Sequence, residues 1–178
     1  MSNANVPDIN DLVKAANAGN VMAQYCLGIA YENGFGAEQS FEKAAFWYTK
    51  SAEQGYTDAQ NNLGVLYSNG DGVEQNYKKA AFWHTKAAEQ GNDMAQFNLG
   101  MSYHKGEGVE QNFEKAAFWY LEAAEQGVGE AQHNLGVLYT AGDGVERNLE
   151  KAKFWYSKAS QQGIEETQVV LKLLKSIE

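Results

Sequence analysis

Ala95-Gln96-Phe97-Asn98-Leu99-Gly100 is a phrase that the chain keeps repeating. Ala59-Gln60-Asn61-Asn62-Leu63-Gly64 stands before it and Ala131-Gln132-His133-Asn134-Leu135-Gly136 after it. A looser copy, Ala23-Gln24-Tyr25-Cys26-Leu27-Gly28, opens the series, and Thr167-Gln168-Val169-Val170-Leu171 closes it. The copies begin at 23, 59, 95, 131 and 167, each 36 residues after the last. A constant period of this size marks a row of one supersecondary unit, each copy burying its apolar face on its neighbours.

Each full copy reads as two helices. The first runs from about Val21, Asp58, Met94 and Glu130 to just before Gly34, Gly70, Gly106 and Gly142. Ala23, Leu27 and Tyr31 fall four apart on one helical face, as do Ala59/Leu63/Tyr67, Ala95/Leu99/Tyr103 and Ala131/Leu135/Tyr139. Glycine just past the last periodic residue is a stop signal, because it takes the left-handed conformation without a Cβ clash. The second helices follow the N-cap residues Ser40, Asn76, Asn112 and Asn148. Small residues (Ala44, Ala80, Ala116, Ala152) alternate there with large ones (Tyr48, His84, Tyr120, Tyr156), the pattern needed for two helices to interlock. Gly28, Gly64, Gly100 and Gly136 sit inside the first helices, where glycine costs about 1 kcal/mol relative to alanine. Their recurrence predicts an approach of the second helix too close for any side chain.

The ends fit the same register. Residues 8–19 match the second half of a copy and predict an N-terminal capping helix. Residues 21–55, 57–91, 93–127 and 129–163 are the repeats, and 164–178 a C-terminal capping helix, all in a single domain over 1–178. In the last segment Lys172 and Lys175 replace the glycine and tyrosine, while Val170, Leu171, Leu174 and Ile177 can cover the open end of the fourth repeat. The expected fold is all-α, an α-solenoid of antiparallel helix pairs.

The small-xxx-Leu-Gly-xx-Tyr first helix and Ala-xxx-Tyr second helix resemble the tetratricopeptide repeat, which has 34 residues. The loop Gly70-Asp71-Gly72-Val73-Glu74-Gln75-Asn76, with Ala87-Ala88-Glu89-Gln90-Gly91, resembles the Sel-one-like repeat (SLR) family more specifically. The first copy departs most, with Phe35 in the acidic loop position and Ala37 for valine. This resemblance implies a right-handed superhelix whose first helices line a concave surface, and an adaptor role in holding protein or peptide partners. One cysteine-rich branch of the family is associated with β-lactam binding and hydrolysis. Its disulfide between helices has no counterpart here.

Composition narrows the function classes. Hydrophobic residues make up 44% of the chain and one proline is present, so a packed interior is expected without a stiff linker. The net charge of -9 argues against nucleic acid or an anionic membrane, both of which need a basic footprint. It is compatible with a basic peptide partner, and ordinary solubility explains it equally well. Cys26 is the single cysteine, so no disulfide can form within the chain. No signal peptide and no apolar run of membrane-spanning length is visible, and a soluble cytoplasmic monomer is the simplest expectation.

No cofactor or metal is expected, nor an enzyme. His84, His104 and His133 come from different copies at unlike positions, without metal-ligand spacing. Asp71, Glu107 and Asp143 recur in register in loops, whereas an active site needs unlike residues converging once. Trp47, Trp83, Trp119 and Trp155 are expected to pack between copies. Phe46, Phe82, Phe118 and Phe154, about 100° further round the helix, either wedge into the next copy or surface on the convex side; their presence in every copy favours wedging.

What varies beside the repeated face is more informative. Met22, Tyr25 and Ile29 (with Glu32), Asp58, Asn61 and Val65 (with Ser68), Met94, Phe97, Met101 and His104, and His133 and Val137 (with Glu130 and Thr140) each form one stripe of their helix. In the tetratricopeptide-like arrangement that stripe faces the groove. Phe97, Met94 and Met101 would there form an apolar patch, with Asn61, Asn62 and Asn98 as polar contacts; alternatively these residues simply fill the inner curve. The leading expectation is a scaffold that binds a protein or peptide in that groove. The rivals are a β-lactam-binding or β-lactam-hydrolysing protein and a self-assembling solenoid.

Overall fold

The computed structural model describes residues 9–175, with side chains through Leu174. All regular structure among them is helical. The chain forms two compact units, residues 1–90 and 91–178. The first holds α1 (Ile9–Asn17), α2 (Val21–Asn33), α3 (Phe41–Glu53), α4 (Thr57–Asn69) and α5 (Tyr77–Ala88). The second holds α6 (Asp93–Lys105), α7 (Phe113–Glu125), α8 (Gly129–Ala141), α9 (Leu149–Gln161) and α10 (Glu165–Lys175). Within each unit every helix packs on its neighbour in the chain, so α2/α3, α4/α5, α6/α7 and α8/α9 are the helix pairs. The first helices begin within a residue of the predicted starts. Asp8 and Ile177, assigned to the two caps from sequence, lie outside the described residues.

The caps form as the residue types dictate. Ser40, Asn76, Asn112 and Asn148 each accept, on the side chain, the backbone N–H three residues on, at 3.3, 3.0, 2.8 and 2.9 Å. Asn20 and Asn92 do the same for α2 and α6 at 2.8 Å. The seven-residue loop inside each pair is fastened at both ends. Its last N–H, from Ser40, Asn76, Asn112 or Asn148, bonds the carbonyl of Tyr31, Tyr67, Tyr103 or Tyr139 at 2.8–2.9 Å. The preceding Gln39, Gln75, Gln111 or Arg147 donates to the carbonyl of Glu32, Ser68, His104 or Thr140. The loop therefore closes in the first copy as in the others, despite Phe35 and Ala37.

Mid-helix glycine has the reason expected, with an aromatic ring rather than backbone as the neighbour. A Cβ on Gly28, Gly64, Gly100 or Gly136 would lie 2.4, 2.4, 2.6 or 2.8 Å from the ring of Tyr48, His84, Tyr120 or Tyr156. Those rings are fully buried or nearly so. Glycine and ring thus form one lock, and the alanine and leucine positions close the core around it.

A second device is built from glutamine. Gln24, Gln60, Gln96 and Gln132 are all buried. Gln24, Gln60 and Gln132 donate to the carbonyls of Ala16, Ala52 and Ala124, at the end of the preceding helix. Each of the four accepts from the glutamine thirty residues on, Gln54, Gln90, Gln126 and Gln162, at 2.7–2.9 Å. A clasp therefore joins the start of each first helix to the end of its partner. On α10, Val170, Leu171 and Leu174 pack with Ala152, Tyr156, Tyr139 and Leu149.

Trp47 packs against Ala16, Ala23 and Leu27, Trp155 joins the α7/α8 core, and Trp83 is partly buried against the α3/α4 core. The phenylalanine ladder corrects the expectation. Phe46, Phe82, Phe118 and Phe154 are each about half exposed and do not wedge between copies. Each lies edge-on to the following tryptophan, centroids 4.9–5.0 Å apart. Lys50, Lys86 and Lys158 cover three of the rings. One helical residue of rotation carries the ring out of the interface, and in three copies a lysine ammonium group lies over it there.

Candidate functional site

Of the varied residues on the first helices, Met22, Met94 and Val137 are exposed, while Tyr25, Ile29, Phe97 and Met101 are partly buried against the core. In the N-terminal unit the Tyr25 ring lies tilted against Tyr56, centroids 4.8 Å apart, and 5.9 Å from Tyr48. The Tyr56 hydroxyl donates to the sulfur of Met22 at 3.4 Å, and Met22 is otherwise exposed. Burial, then the Asp58 carboxylate, pushes the Tyr25 hydroxyl above its ordinary pKa. Ile29 packs on the core beside Tyr25. Asn61 donates to the side chain of Asn62 at 3.4 Å, and Val65 is half-buried.

In the C-terminal unit the stripe closes around a surface cavity of about 340 Å³ lined by Phe97, Glu130, His133, Asn134, Ile164 and Glu166. Phe97 comes from α6; Glu130, His133 and Asn134 from α8; Ile164 and Glu166 from the entry to α10. The His133 ring meets Tyr156 edge-on at 5.6 Å, and its Nδ1 is buried without a hydrogen-bond partner. Burial lowers the His133 pKa while the Glu166 carboxylate opposes the shift. Phe97 and Met101 pack partly on the core, and Asn134 reaches the Met101 sulfur at 3.8 Å. Met94 and Val137 are exposed on the same helices.

The other two histidines have different surroundings. His104 stands at the end of α6, its Nδ1 3.4 Å from the Tyr120 hydroxyl and its ring against Phe113. His84 fills a tyrosine position, 3% exposed, with no hydrogen-bond partner for either ring nitrogen. Burial pushes its pKa down to about 4. No group of three or more histidine, cysteine, aspartate or glutamate side chains suited to a metal ion occurs among the described residues.

Of the site residues predicted from sequence, the structure gathers Phe97 and His133 at one cavity. It places Met22, Tyr25 and Asp58 together on the other unit, and sets His104 and Met101 against the core. From sequence, Glu166 and Ile164 belong only to the C-terminal capping segment. Their signal was available: Glu166 stands 36 residues after Glu130, in the register that also holds Met94 and Asp58.

Comparison with known proteins agrees with this architecture. The family model described as Sel1 repeat matches residues 21–56, 57–92, 93–128 and 129–164. No curated protein matches. A protective antigen of uropathogenic Escherichia coli strains, displaying an SLR fold, is 40% identical over 92% of this chain and 35% of its own, with a TM-score of 0.89. A Sel1 repeat protein from Oxalobacter formigenes is 38% identical over 93% of this chain and 48% of its own, with a TM-score of 0.83. Helicobacter pylori cysteine rich protein B shares the fold at 23% identity and a TM-score of 0.56, over 71% of this chain and 96% of its own. The chain thus spans between a third and a half of the length of the first two.

Proposed function

Because the chain belongs to the Sel1 repeat family, whose all-α solenoids generally serve as protein-interaction scaffolds, we propose that it is an adaptor that holds a protein segment against its first-helix faces. The observation that carries this reading is the separation of two residue sets. One set repeats in register and is consumed by the helix-pair lock, the caps and the clasp. The other varies from copy to copy, is partly exposed, and in the C-terminal unit surrounds a cavity. A scaffold needs that division: a rigid repeated interior and a surface free to differ along its length. Apolar Phe97 and Met94 supply anchors, Asn134 an adaptable polar contact, and the preformed helices spare the ordering entropy of a flexible site.

A peptide-display selection on the immobilised protein tests it. Selected peptides are expected to lose binding to a Met94→Ser/Phe97→Ala variant whose helical circular dichroism spectrum is unchanged. Equal binding to that variant would remove the first-helix face from consideration.

A further inference from the structure

We propose that the cavity between α6, α8 and the entry to α10 receives a lysine or arginine side chain of an extended peptide. The inference rests on the adaptor reading and names the chemistry of the partner. Its walls are of two kinds. Phe97 and Ile164 are apolar and match the methylene stem of a long basic side chain. Glu130 and Glu166, both exposed and one repeat apart, place two carboxylates at the same cavity. Neither carboxylate is ion-paired among the described residues. No lysine or arginine is among the side chains that line the cavity.

An aromatic face beside carboxylates favours a cation over an anion or a neutral side chain. A bare metal ion is a poorer fit, since Phe97 and Ile164 offer it no ligand. At about 340 Å³ the cavity lies near the bottom of the size range of ligand pockets, suited to a side chain rather than a whole cofactor. The chain's net charge of -9 draws a basic segment toward it at long range.

The test is an NMR titration of the full isotope-labelled chain with blocked pentapeptides Gly-Ser-X-Ser-Gly, where X is lysine, arginine, norleucine or glutamate. Lysine and arginine peptides are expected to shift the signals of Phe97, Glu130, His133 and Glu166. A Glu130→Gln/Glu166→Gln variant with an unchanged melting curve should bind them at least fivefold more weakly, and 0.5 M salt should have a similar effect. Equal response to norleucine and lysine, with the shifts lost in Phe97→Ala, would overturn the cationic specificity while leaving the adaptor reading standing. Absence of any shift around the cavity, or undiminished binding by the double glutamine variant, would overturn the proposal outright. Failure of the display selection as well would be needed to remove the adaptor reading.

Discussion

The side-chain amide of Gln54 donates to the side-chain oxygen of Gln24 at 2.7 Å, thirty residues up the chain. Gln24 in turn donates to the Ala16 carbonyl at 3.1 Å, so one buried amide joins three successive helices. The same arrangement recurs with Gln60, which donates to Ala52 and accepts from Gln90. Replacing Gln60 with methionine keeps the volume but removes two hydrogen bonds, the one to the Ala52 carbonyl, which keeps the Gly55 N–H, and the one from Gln90. The expected loss is about 1–3 kcal/mol, read as a lower urea midpoint with unchanged helical signal. Gln90→Ala should cost less, because Gln90 is exposed and its absence leaves Gln60 only one contact short.

Gly100→Ala opposes two effects. Helix propensity favours alanine by about 1 kcal/mol, yet the new Cβ would sit 2.6 Å from the Tyr120 ring. Overpacking should prevail, with a net loss of about 1–3 kcal/mol. On a Tyr120→Ala background the clash is gone, so the same substitution should become neutral or stabilising. A double-mutant cycle measured by thermal melting would show that reversal; a loss that persisted without the ring would contradict the lock.

Two loop glycines should respond unequally to alanine. Gly72 has φ +66°, and a Cβ there would lie 2.2 Å from the Phe41 carbonyl carbon, a backbone atom that cannot swing aside. Gly55 has φ +91° but nothing within 4 Å. Gly55→Ala should therefore cost only the left-handed strain, about 1–2 kcal/mol. Gly72→Ala should cost more than about 3 kcal/mol and displace the loop, measurable by chemical denaturation of both variants side by side.

His84 makes stability depend on pH in a definite direction. Its folded pKa is depressed to about 4 from 6.5, so between these values the unfolded chain binds the extra proton. The neutral ring is at no disadvantage above pH 6.5; stability falls as pH drops toward 4 and is not lost further by this group below it. The full difference is up to about 3 kcal/mol. His84→Tyr restores the residue that the other three pairs place over their glycine. Unfolding free energies of the two proteins should diverge as pH is lowered from 7 to 4, and parallel curves would show that the buried ring is not the source.

The period, helix order, caps and glycine lock were legible because each rests on local residue chemistry repeated in register. The role of glutamine was not, since a polar residue beside Ala23 or Ala59 looks like a surface position until the carbonyl it satisfies is seen. Phe46 and its counterparts were misplaced for a related reason. Recurrence in every copy suggests burial, whereas an outward ring can recur because it leans on Trp47 and lies under Lys50. The candidate cavity was half legible: Phe97 and His133 stood out as departures from their neighbours in register. Glu166 was hidden in a segment whose apolar residues were explained as a lid.

Within each unit the loop closure, the glutamine clasp and the ring over glycine tie a helix only to those beside it in the chain. Gaining or losing a whole 36-residue module by unequal recombination would leave the remaining fastenings intact, whereas a shift of a few residues would break all of them in that copy. Length can therefore drift among relatives in quantised steps while the parts stay interchangeable, and a new specificity can arise by rewriting a single rung.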